Sequence, residues 1–65
     1  MSKLTELRKE KMLTQQELAS KAGISITTVS RLENGQVKAS LRTIRALAPV
    51  FDMGVEEMQK LLAEK

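Results

Sequence analysis

The stretch TQQELASKAGISITTVSRLENG, residues 14–35, decides the fold of this chain. Thr14 is a good helix N-cap, and Glu17 stands where its side chain can reach back to the cap amide, so Thr14-Gln15-Gln16-Glu17 reads as a capping box. Leu18, Ala19 and Ala22 then fall on one helical face, and Gly23 stops the helix in a left-handed conformation. Ser25 caps a further helix that runs to Asn34 and ends at Gly35. Two short helices are therefore joined by a sharp turn, with Ile24 filling the angle between them, and the second helix stands proud of the domain.

The pattern continues outward on both sides. Ser2 caps a first helix with Leu4 and Leu7 inward, ending near Lys11 and Met12. Beyond a loop over 36–39, Ser40 caps a fourth helix in which Leu41, Ile44, Leu47, Ala48 and Phe51 keep helical spacing. Pro49 lacks an amide hydrogen and would cost a bond to Arg45, so this helix is expected to kink, or to end early and add a further turn. Gly54 opens a fifth helix with Val55, Met58, Leu61 and Leu62 on one side. Strand signals are weak, and there is no internal repeat. The expected architecture is all-α, a compact five-helix domain over residues 1–65.

At 65 residues the chain holds one domain, which buries only about 60% of the surface its unfolded form exposes. With no cysteine and no histidine, neither a disulfide nor a thiolate zinc site can brace it. Helix packing, dimerisation or both must do so. No apolar run approaches the roughly 20 residues that cross a bilayer, and the N-terminus has no apolar segment of signal-peptide length. A cytoplasmic protein is expected. Catalysis is not: acid–base work would fall to carboxylates or lysine, no phosphate-cradling glycine loop is present, and no metal or cofactor is implied.

Charge is unevenly spread. Residues 1–45 carry nine basic and four acidic side chains, a balance of +5, whereas residues 46–65 carry two basic and four acidic, a balance of −2. A basic front suits a polyanion. On a helical wheel, Ile26, Thr27, Ser30, Arg31 and Asn34 form one side of the third helix, with Val29 and Leu32 opposite as core anchors. That outer side offers a guanidinium for guanine O6 and N7, hydroxyls for base edges and an apolar group for a thymine methyl. Ile26 also admits a plainer reading, as a partly buried residue at a helix start. Gln15 and Gln16 open the second helix, where free amides and the helix dipole attract phosphate. Asn34, Lys38 and Arg42 are placed to hold the DNA backbone on the other side; Lys38 or Arg42 taken singly reads more readily as a solvated side chain, and it is their clustering after the third helix that favours the backbone contact.

Three segments together carry a resemblance to a known family. Leu7-Arg8-Lys9-Glu10-Lys11-Met12-Leu13-Thr14-Gln15-Gln16-Glu17-Leu18-Ala19 resembles the opening of the Cro/phage-repressor-like helix-turn-helix family, which includes regulators of the xenobiotic-response-element type. Ala22-Gly23-Ile24-Ser25 with Val29-Ser30-Arg31-Leu32-Glu33-Asn34-Gly35 resembles its turn and recognition helix, and the region from Ser40 to Met58 resembles its last two helices. The resemblance implies a transcriptional regulator, commonly a repressor, that binds a two-fold symmetric double-stranded DNA operator as a homodimer. Its recognition helices would lie about 34 Å apart. It also implies a partly buried Arg8–Glu33 pair, a phosphate clamp at Gln15, base reading by Ile26, Thr27 and Arg31, and a backbone contact at Asn34. Met12 and Asp52 stand where glycine is common, and Pro49 at an exposed position of the fourth helix. An antitoxin or another protein-interaction module on the same fold is the alternative. The outer face of the third helix discriminates, because a module that does not read DNA would carry acidic or bulky apolar groups there.

Overall fold

Four of the five helices in the computed structural model, which describes residues 2–63, begin on a hydroxyl N-cap. The helices are α1 (Lys3–Glu10), α2 (Gln15–Ala22), α3 (Ile26–Glu33), α4 (Leu41–Leu47) and α5 (Val55–Ala63), with a single 3-10 turn, Ala48–Phe51, between the last two. At Ser2, Ser25 and Ser40 the cap oxygen accepts the amide of the threonine three residues on, at 3.1, 3.1 and 3.3 Å, and the two hydroxyls bond each other. Thr14 forms the capping box read from the sequence: Glu17 N–H donates to Thr14 Oγ1 at 3.0 Å and Thr14 N–H to Glu17 Oε1 at 2.9 Å. Each device satisfies amides that a helix start leaves without partners.

The closures are just as regular. α2 ends with Ile24 N–H on the Ala19 carbonyl and Gly23 N–H on that of Ser20, with Gly23 at φ 71. α3 repeats this paired closure with Gln36 on Arg31 and Gly35 on Leu32, and Gly35 lies at φ 72. The same closure follows α1, where the left-handed residue is Met12 at φ 57, and the 3-10 turn, where it is Asp52 at φ 54. The hydrogen bonds demand a left-handed residue whatever side chain it bears. Met12 and Asp52 therefore take the conformation glycine would take, and the first turn keeps the same form without one.

Pro49 resolves as an early end. α4 stops at Leu47, and the proline sits near the start of the 3-10 turn, where its missing amide costs least. Ala48 and Phe51 still point inward. They join Leu4, Leu18, Ala19, Val29, Ile44, Leu47 and Met58 in one buried core, flanked by Leu7, Leu13, Ala22, Ile24, Leu32 and Leu62.

Two inward assignments need correction. Leu41, at the first position of α4, is 51% exposed, because the core-facing stripe begins only at Ile44. Val55 is likewise exposed at the first position of α5. Met58 lies fully inside the core, and Leu61 and Leu62 are half-buried. No helix among the described residues is long and apolar enough to cross a membrane.

Candidate nucleic-acid interface

α3 is anchored from below. Val29 is completely buried and Leu32 half-buried, and the helix packs on α2 and α1. The outer side carries Ile26, Thr27 and Arg31, all exposed, with Ser30 half-buried between them. Ile26 is 47% exposed, so the core does not absorb it. Thr28 is turned away from this face, its hydroxyl bonded to Ser25 at 2.8 Å. Among the described residues the Arg31 side chain has no hydrogen-bond or ion-pair partner, which leaves its guanidinium fork available.

Asn34 is the exposed C-cap of α3. Asn34 and Lys38 line one open groove, which also receives Val37, Ala39, Leu61 and Leu62. Lys38 and Arg42 are exposed, in the loop after α3 and in the first turn of α4. At the start of α2, Thr14 occupies the amide of Glu17, while Gln15 and Gln16 keep theirs at the open end of the helix. Gln16 is exposed and Gln15 half-buried.

Beneath this face lies a polar knot centred on Glu33. Arg8 grips the carboxylate with two nitrogens, Nε on Oε2 at 2.7 Å and Nη2 on Oε1 at 3.1 Å. Its third nitrogen, Nη1, donates to the Leu13 carbonyl at 2.7 Å, tying down the turn between α1 and α2. Thr5 Oγ1 and Gln15 Nε2 also donate to Oε1, at 2.9 and 3.3 Å. Burial alone pushes the Glu33 carboxyl up, but hydrogen bonds from Arg8, Thr5 and Gln15 and the Arg8 charge outweigh it, and the group titrates below the ordinary carboxylate range. Hydrogen bonding to Glu33 holds the Arg8 guanidinium charged.

Sequence reasoning placed Gln15 at the surface as a phosphate ligand, and the structure adds an inward partner. It also missed Thr5, whose burial is unusual for a polar residue, and the Lys11–Asp52 contact at 3.7 Å between two exposed side chains. Thr5 had a legible signal, since it follows Leu4 on the face of α1 that also carries Arg8. The Asp52 contact joins two turns distant in sequence and had none. Among the described residues no group of three acidic, histidine or cysteine side chains converges as a metal ion requires.

Comparison with known proteins bears on this geometry. A helix-turn-helix family profile matches residues 4–58, which covers α2, α3 and α4 whole, all but the first residue of α1, and the start of α5. An uncharacterised HTH-type transcriptional regulator of Archaeoglobus fulgidus is 35% identical over 57 residues, covering 88% of this chain and 81% of the relative. The HTH-type transcriptional regulator DdrOP3 of Deinococcus deserti is 36% identical over 56 residues, covering 86% of this chain but only 43% of its own length.

Proposed function

The chain belongs to the helix-turn-helix family, and from that premise we propose that it is a transcriptional regulator binding double-stranded DNA sequence-specifically, with α3 in the major groove. One observation carries the reading. The anchored helix α3 presents the Arg31 side chain without a partner among the described residues, beside exposed Thr27 and Ile26, on the side away from the core. Arg31 donates to guanine O6 and N7, Thr27 and Ser30 meet base edges, and Ile26 lies against a thymine methyl. Gln15, Gln16, Asn34, Lys38 and Arg42 hold phosphates and set register.

The operator is palindromic and the regulator acts on it as a homodimer, most simply as a repressor that occupies the site. Exposed Val37 and half-buried Leu61 and Leu62 in one groove support the second copy. With DNA as its partner, the protein works in the cytoplasm. The test is titration of a selected binding site with Arg31→Ala. Affinity for that site should fall by roughly 1–3 kcal/mol with relaxed preference at one base pair. An unchanged preference at every position refutes the base-reading role.

A further inference from the structure

Gln15 and Glu33 stand eighteen residues apart in sequence, on different helices, and meet at 3.3 Å between Nε2 and Oε1. Chemistry fixes which way round the amide sits. Glu33 is ionised, its side chain only 5% exposed, and all its other partners are donors. A carboxylate accepts and does not donate, so it takes the NH2 end of Gln15 and repels the carbonyl end. One of the two N–H groups points inward at Glu33, and the other remains for an outside acceptor at the start of α2. Gln15 is half-buried, which further restricts its rotamers.

We propose that Glu33 is a positioning residue for DNA binding: it pre-sets the Gln15 amide as a phosphate donor and so fixes the clamp at the start of α2 relative to α3, the helix that carries both Glu33 and the base-reading face. The inference rests on the proposed phosphate contact of Gln15. Without the carboxylate, the amide samples orientations that present its carbonyl oxygen to an anion, and reordering it on binding weakens the clamp. Arg8 serves the same end indirectly, since it holds the carboxylate by two bonds and the turn before α2 by a third.

Glu33→Asp tests this, because it keeps the charge for Arg8 but withdraws the carboxylate by one methylene. Binding to a fixed operator is measured for the unaltered protein, Gln15→Ala, Glu33→Asp and the double variant, with folding verified by circular dichroism. Gln15→Ala should weaken binding about tenfold, the scale of one hydrogen bond to a charged group. Glu33→Asp should weaken it measurably alone, and by less than about twofold in the Gln15→Ala background. An equal effect in both backgrounds makes Glu33 merely structural and overturns the inference, while Gln15 keeps its role. No effect of Gln15→Ala removes the phosphate contact itself, and the inference with it. Should Glu33→Asp fail to fold, the unaltered free protein still decides. A nuclear Overhauser effect between the Gln15 side-chain NH2 and the Glu33 γ protons supports positioning, and a rotamer-averaged amide without it contradicts positioning.

Discussion

Arg8 and Glu33, twenty-five residues apart, meet in a two-point grip of 2.7 and 3.1 Å with side chains 14% and 5% exposed. The pair joins α1 to α3 beneath the face assigned to DNA. A buried ion pair forfeits much of its attraction to desolvation, so its net worth is small while the cost of breaking it is large. Arg8→Met should therefore destabilise the domain by about 3 kcal/mol, because it strands the Glu33 carboxylate. Arg8→Met with Glu33→Leu should recover most of that stability. Urea unfolding of the three proteins decides, and a double variant no more stable than the single one would count against a stranded charge as the cause.

The lowered Glu33 titration sets an acid dependence. A carboxyl whose folded pKa lies below its unfolded one adds stability that is fully present above the unfolded value, about 4.3 for glutamate. That stability disappears as pH falls through the folded value. Glu17, held ionised by the backbone amide and then the hydroxyl of Thr14, acts in the same direction. The urea midpoint should be level near neutrality and drop below about pH 4. The carboxyl carbon of Glu33 should titrate below an ordinary glutamate in the folded protein. A normal titration of that carbon contradicts the knot as described.

Met12 closes α1 at φ 57 and is 88% exposed. A left-handed backbone costs a non-glycine residue roughly 1 kcal/mol or more, and this side chain has almost no packing to lose. Met12→Gly should raise stability by about 1 kcal/mol, a gain of roughly 4–8 °C in Tm for a domain of this size. A lower Tm would show that Met12 is not strained.

Gly23 supplies the converse. A Cβ there meets nothing within 4 Å, so Gly23→Ala incurs only the penalty of φ 71. The domain should become less stable by about 1 kcal/mol, with operator preference unchanged. A much larger drop would point to contacts in the turn that the structure does not contain.

Lys38→Ala and Arg42→Ala should each weaken binding on all sequences alike and reduce the slope of log affinity against log salt by about 1. A substitution that alters the preferred sequence moves its residue from phosphate holding to base reading.

The helices were legible because their signals are local. Ser2, Thr14, Ser25 and Ser40 announce starts, and Gly23 and Gly35 announce ends, each through bonds to residues a few positions away. The break at Pro49 was legible for the same reason. The outer side of α3 followed from period alone, once Val29 and Leu32 were taken as anchors. Leu41 and Val55 were misplaced because an apolar first residue can precede the buried stripe, and only the neighbouring helices decide where that stripe begins. The left-handed backbones of Met12 and Asp52 were signalled only by the resemblance, which puts them where glycine is common, and not by their own side chains. The Gln15–Glu33 hydrogen bond was invisible for a different reason: it depends on how α2 and α3 cross, which no spacing within either helix encodes.

Sequence-specific reading of DNA by α3 is tested most directly by selection of binding sites from a random double-stranded DNA pool at near-physiological salt. The expected result is enrichment of a palindrome whose half-sites lie about ten base pairs apart. Selection with Arg31→Ala should then return the same palindrome with the preference for one guanine abolished. No enrichment by a protein shown to be folded would contradict DNA reading, and would leave the outer face of α3 to a protein partner instead.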